Sequence, residues 1–180
     1  MPEGRGLEPG DSVAPFSLPN AQLEGRLSNL EDMMGEGGLV IVFTCNHCPY
    51  VVGSENRIEE MASFARESGL GFIGINSNDP INYPSDNWSS MIKRATKMSY
   101  SYLHDAEQTV ATMYGAERTP EFYLCDSDGI ITYRGRLDDS PVDPSKVTTN
   151  ELHDAILAQL AGETPNINRT DSIGCSVKWA

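Results

Sequence analysis

The chain has 180 residues, four cysteines, 39% hydrophobic residues and a formal net charge of −13. That length suits one domain with a proper core and leaves little room for a second. Charge of this sign repels nucleic acid and anionic membrane, so neither is an expected partner, and no apolar run approaches the ~18 residues of a membrane span.

The first six residues carry no apolar stretch of the secretory kind, which sets the expectation of a cytoplasmic, reducing compartment. Four cysteines are too few for a disulfide scaffold. In a reducing compartment a close cysteine pair is expected to be catalytic or redox-sensing.

Residues 1–14 read as an extended polar lead-in rich in Gly and Pro. Phe16-Ser17-Leu18 is a short strand candidate, with a turn at Pro19-Asn20. Ser28 to Glu31 fits S-x-x-E, a capping box for a short helix ending near Gly35. Gly37-Gly38 then breaks the chain before an apolar strand over 39–43.

Thr44-Cys45-Asn46-His47-Cys48-Pro49 follows that strand. After it, Val51, Val52, Ile58, Met61, Ala62 and Ala65 recur at helical spacing. The order is strand, C-x-x-C, helix, which is a redox signature. Unpaired N–H groups and the dipole at a helix start favour a thiolate, and the thiolate is the nucleophile. Two intervening residues let the sulfurs meet across one turn. His47, when protonated, favours a thiolate nearby. Zinc would need further ligands at matching spacing. His104 and His153 are scattered, so no metal and no cofactor is expected.

Gly69 is a helix stop, and 71–75 is a second apolar strand, parallel to the first by the β–α–β rule. Residues 76–84 form a loop. Ser85 or Asp86 caps a helix to about Lys97 with Trp88, Met91, Ile92 and Ala95 on its inner face. Tyr102-Leu103 is a short strand. A helix over 106–114 points Val110, Ala111 and Met113 inward and ends at Gly115. Strands over 121–125 and 130–133 flank an Asp-Gly hairpin turn. Residues 138–143 are an acidic, solvated loop. Thr149 or Asn150 caps a last helix with Leu152, Ile156, Leu157 and Leu160 as its stripe, stopped by Gly162. Cys125, closing its strand, reads as a buried structural thiol.

Residues 163–180 form a polar tail, yet Ile173, Val177 and Trp179 surround Cys175 near its end. Burying them contributes several kcal/mol at ~25 cal/mol per Å², so residues 173–179 are expected to dock on the domain. Cys175 is a candidate accessory redox thiol; the alternative is a purely packing role for the tail.

Several stretches together carry a resemblance to a known family. They are Phe43-Thr44-Cys45-Asn46-His47-Cys48-Pro49-Tyr50-Val51, Ile75-Asn76-Ser77-Asn78-Asp79 with Tyr83-Pro84 and Asp86, Thr119-Pro120, and Gly174-Cys175-Ser176-Val177-Lys178-Trp179. The sequence resembles the thioredoxin-like superfamily, and within it the peroxiredoxin-like C-x-x-C proteins of the AhpC/TSA-redoxin group. The resemblance implies an α/β, thioredoxin-like fold. Its central mixed sheet would be flanked by helices on both faces, with an extra N-terminal segment and a C-terminal tail, and residues 1–180 would be one redoxin domain. It also implies that Pro120 is cis and lies against the cysteines, with Thr119 offering backbone to a substrate peptide. Thr44 and His47 join them as tuning and groove residues.

The sequence departs from these relatives in three places. Leu39 stands where thioredoxins bury an acid. Val40 replaces the proline of the peroxiredoxin P-x-x-x-T-x-x-C motif. Thr44 replaces the aromatic residue before the first cysteine. Pro49 sets up a conflict, because proline favours the first helical position and would make Cys48 the cap. The resemblance implies instead Cys45 as nucleophile and Cys48 as resolving thiol; the helix-start position near His47 sets the expectation of a lowered Cys45 pKa.

The leading expectation is a thiol–disulfide oxidoreductase working on protein or small-molecule disulfides, recycled by thioredoxin or glutathione. The competing expectation is a thiol peroxidase acting on peroxides. A third is a non-enzymatic redox-sensing module.

Overall fold

The computed structural model describes residues 6–180, so the first five residues of the expected lead-in lie outside the described residues. The elements in chain order are β1 (Ser17–Pro19), β2 (Leu27–Asn29), α1 (Leu30–Met33), β3 (Leu39–Phe43), α2 (Pro49–Val52), α3 (Glu55–Glu67), β4 (Gly71–Asn76), α4 (Trp88–Ala95), β5 (Ser101–His104), α5 (Thr109–Tyr114), β6 (Arg118–Thr119), β7 (Glu121–Cys125), β8 (Ile131–Gly135), α6 (Glu151–Leu160) and β9 (Cys175–Ser176). Among the described residues the main sheet has five strands in the order β5-β4-β3-β7-β8. β3, β4 and β5 run parallel, while β7 and β8 are antiparallel additions.

β3 is the central strand, and every one of its residues is buried. Side chains alternate across a strand. Val40 and Val42 therefore enter one core with Ile58 and Ala62 of α3, Met91 of α4 and Leu152 and Ile156 of α6. Leu39, Ile41 and Phe43 enter the other, with Leu30 of α1 and Val110, Ala111 and Tyr114 of α5. A strand covered on both faces reads as a continuous apolar run, which explains its legibility. The mixed sheet with helices on both faces is the α/β architecture expected from the sequence.

Several local expectations are corrected. Asn29, not Ser28, caps α1 by accepting from the Asp32 N–H at 2.8 Å. Ser28 lies in β2, where its hydroxyl accepts from Asn20 Nδ2. The helix after the cysteines is interrupted at Gly53-Ser54. A Cβ on Gly53 would stand 2.8 Å from the Pro141 carbonyl oxygen, so close packing of the 138–142 loop shapes this break. Neither Ser85 nor Asp86 caps α4; Asn87 does, accepting from Ser90 N–H at 2.9 Å. Ile92, Met113, Leu157 and Leu160 are exposed rather than inward, because their helices pack on narrower stripes. Tyr114 and Ala155 are buried in those helices instead. Within the acidic loop, Asp138 is buried and paired with Arg57, so that loop is not simply solvated.

Candidate active site

Cys45 and Cys48 lie just beyond the carboxyl end of β3, where open α/β sheets present their sites. Thr44 N–H still bonds the Ile75 carbonyl, which carries β3 pairing up to the first cysteine. Pro49 occupies the first turn of α2 and Cys48 is its N-cap residue. This is the geometry that proline at the first helical position dictates. Both cysteines are reduced and buried, and they pack with Val51, Tyr50 and Cys175.

The two thiols lie in one cluster and act on each other. The neighbouring Cys48 thiol raises the Cys45 pKa, and burial raises it further. Thr119 pulls it down, while the Asp86 carboxylate pushes it up. Cys48 moves the other way. The Cys45 thiol is the main cause, opposed by burial and aided by the thiol and backbone N–H of Cys175 and by the backbone at Val51. The Cys45 thiol is thus pushed up rather than down, and Cys48, not Cys45, is the thiol of the pair that is lowered.

Thr119 covers the pair. Its hydroxyl is 3.5 Å from Cys45 Sγ, and its carbonyl oxygen accepts from protonated Cys48 Sγ at 3.5 Å. The Thr119–Pro120 peptide bond is cis. Behind it, Glu121 accepts from the Glu117 N–H at 2.8 Å and pairs with buried Arg134 at 3.0 Å. Thr44 is buried, its methyl group next to Gly74, and bonds neither sulfur. His47 is exposed, and its imidazole bonds neither sulfur. The groups acting on the thiols are each other, Thr119, Asp86, Val51 and Cys175.

Asp86 is the residue that sequence reasoning misplaced. Its buried carboxylate accepts from the Asn46 backbone N–H at 2.8 Å, Asn76 Nδ2 at 3.0 Å and Asn78 Nδ2 at 3.1 Å. Tyr102 completes the cluster by donating to Asn46 Oδ1 at 2.7 Å and accepting from Asn76 at 3.0 Å. An acid thus does sit beside the cysteines, though it comes from the turn before α4 and not from position 39. The Asn76-Ser77-Asn78-Asp79 stretch at the end of β4 is the signal that pointed there, since such a run of short polar residues beside a site needs partners. Cys125 lies apart at the far end of β7, and burial pushes its thiol up to about 12.

A mixed sheet with helices on both faces, a cysteine pair past its central strand and a cis-proline strand above it define a thioredoxin-like protein. The family model described as Redoxin matches residues 8–151, and the chain belongs to that family. An uncharacterized conserved protein of Geobacillus kaustophilus is 36% identical, with a TM-score of 0.89 over 96% of this chain and 92% of that one. A hypothetical protein of Sinorhizobium meliloti 1021 is 33% identical, with a TM-score of 0.88 over 98% and 97%. Peroxidoxin BcpB of Mycobacterium tuberculosis, 22% identical with a TM-score of 0.61 over 87% and 97%, shares the fold. No curated protein matches the sequence. Family and fold together give the chain a thioredoxin-like redox function. Among the described residues no helix is long and apolar enough to cross a membrane.

Proposed function

We propose that this redoxin, working as one domain with its C-terminal tail, is a thiol–disulfide oxidoreductase in which Cys45 and Cys48 are the redox pair. The observation that carries the reading is the placement of the two sulfurs in one cluster against Thr119, 3.5 Å from its hydroxyl and from its carbonyl oxygen, with Cys48 as the N-cap residue of α2. A sulfur at a helix start is poised as a thiolate, and a thiolate attacks disulfides.

Cys48 thiolate attacks one sulfur of a client disulfide and releases the other as a thiolate, leaving a mixed disulfide on Cys48. Cys45 then attacks Cys48 Sγ. The Cys45–Cys48 bond forms, the Cys48–client disulfide breaks, and the proton of Cys45 leaves with the second client sulfur. Thr119 lies over both sulfurs and holds the strand edge that borders the client. Two electrons pass to the client, and a thioredoxin-type or glutathione-type thiol restores the pair.

Alkylation by iodoacetamide at a series of pH values, read by peptide mapping, tests the assignment. Cys48 is expected to react at lower pH than Cys45; the opposite order would exchange the two roles. Insulin reduction with dithiothreitol should be lost in both Cys45→Ser and Cys48→Ser. Peroxide consumption without disulfide reduction would overturn the proposal in favour of a peroxidase.

A further inference from the structure

The C-terminal segment does more than end the chain. β9 pairs antiparallel with β6, which places Cys175 opposite Thr119 and Ser176 opposite Arg118. Strand alternation then turns Cys175 and Val177 inward and Ser176 outward; Val177 is buried and Ser176 exposed. The Cys175 side chain packs against the Cys45, Cys48 and Val51 cluster. The segment lies on the one strand edge that borders both active sulfurs, in the manner of an extended peptide added to a sheet edge.

This placement is built into the chain on several sides. A Cβ on Gly174 would stand 2.0 Å from the Thr119 carbonyl oxygen, so only glycine lets the strand approach so closely. Arg118 Nη1 donates to the Gly174 carbonyl at 3.0 Å, and Val177 N–H to the Glu117 carbonyl at 2.9 Å. Farther on, Lys178 N–H donates to Asn78 Oδ1 at 2.9 Å, and the Lys178 carbonyl accepts from Asp79 N–H and Gln108 Nε2, each at 2.7 Å.

We propose that Cys175 is a third redox-active thiol, presented to Cys48 on a strand of the protein's own chain, and that the oxidised protein passes its disulfide outward from Cys45–Cys48 to Cys48–Cys175. The proposal rests on the Cys45–Cys48 pair argued above. Cys175 thiolate attacks Cys48 Sγ. The Cys48–Cys175 bond forms, the Cys45–Cys48 bond breaks, and Cys45 leaves as a thiolate that takes up the proton Cys175 released. No electrons are gained or lost in this exchange. An external dithiol then attacks Cys175 Sγ, Cys48 leaves as a thiolate, and the dithiol's second sulfur attacks its first, breaking the mixed disulfide and releasing Cys175 as a thiolate, so two electrons are delivered. The advantage lies in access, because Cys175 is only half-buried whereas Cys45 and Cys48 are almost fully covered.

Full-length protein is oxidised with diamide, quenched in acid and mapped without reduction. In the wild type both Cys45–Cys48 and Cys48–Cys175 linkages are expected; in Cys45→Ser, an intrachain Cys48–Cys175 bond is expected as the main product. Gly174→Ala should deplete the Cys48–Cys175 linkage at least tenfold and leave Cys45–Cys48 in place. Cys175 remaining free in both the wild type and Cys45→Ser would overturn the proposal, and wild-type Cys45–Cys48 formation in that case would leave the oxidoreductase reading standing. Absence of both linkages would overturn the oxidoreductase reading and this proposal together. An undiminished Cys48–Cys175 yield in Gly174→Ala would overturn presentation by the strand.

Discussion

Asp86→Asn tests the cluster beneath the cysteines with almost no change in shape. Asp86 Oδ1 accepts from Asn46 N–H and Asn76 Nδ2, and Oδ2 accepts from Asn78 Nδ2. An asparagine keeps only one acceptor oxygen. If that oxygen serves Asn46 and Asn76, its NH₂ faces the NH₂ of Asn78. Asn78 cannot escape by turning over, because its Oδ1 accepts from Lys178 N–H. One buried donor is left unmet, at about 1–3 kcal/mol. Two charge-assisted bonds become neutral, each losing roughly 1 kcal/mol. Relief of carboxylate burial offsets part of this. The expected net loss is about 2–3 kcal/mol, or roughly 4–12 °C in Tm for a chain of this length. Because the Asp86 carboxylate raises the Cys45 pKa, its removal should also move Cys45 alkylation to lower pH. Urea unfolding and pH-resolved alkylation read the two effects separately. Stability within 0.5 kcal/mol of wild type, together with an unmoved Cys45 profile, would refute the account of the cluster.

Arg134→Met should cost about 3–5 kcal/mol in urea unfolding, because it leaves Glu121 buried without its cation. Adding Glu121→Gln should recover part of that loss, and a single-variant loss below about 1 kcal/mol would show that the pair is dispensable. His104 is stacked on Trp88, and burial lowers its pKa, opposed by Asp105 and Asp86. Its folded pKa therefore lies below the unfolded value of about 6.5, so the unfolded state binds the proton first and stability falls as pH drops through that value. His104→Phe should flatten this part of the urea-midpoint profile between about pH 8 and 5; an unchanged slope would remove His104 as its source.

β3 was legible because it is covered on both faces, so its residues are uniformly apolar and Gly37-Gly38 and the cysteines bound it. The hairpin between β7 and β8 was equally plain, since Asp126 Oδ1 binds the N–H groups of Asp128 and Ile130 that the Asp-Gly turn turns inward. Helix faces were less legible. Apolar residues such as Ile92 and Leu157 continue the periodic pattern past the edge of the buried stripe, and nothing local marks that edge. Asp86 was misread for a different reason. A short acid just ahead of a helix has the local chemistry of a cap, whereas its actual partners are Asn46, 40 residues earlier, and Asn76, 10 residues earlier. Long-range polar pairing leaves no periodic trace. The contacts of Cys175 belong to the same kind, being set by a two-residue strand pairing with Thr119, 56 positions away.

The strength of the C-terminal clasp bears on what it can do. Its bonds to Arg118, Glu117, Asn78, Asp79 and Gln108 are partly solvated, and at ~0.5–1.5 kcal/mol each they contribute about 6 kcal/mol. Burial of Val177, with Trp179 packed on the second core, adds roughly 3 kcal/mol. Fixing residues 174–180 costs about 1–1.5 kcal/mol per residue in backbone entropy, which lies within a few kcal/mol of that gain. On this balance the clasp is expected to open at low free-energy cost. Its opening uncovers the Arg118–Thr119 edge and Cys48 together, because the same strand covers both. If the proposed oxidoreductase takes an extended client segment, that segment and the protein's own β9 would compete for one edge, and a client cysteine opposite Thr119 would meet Cys48 as Cys175 does.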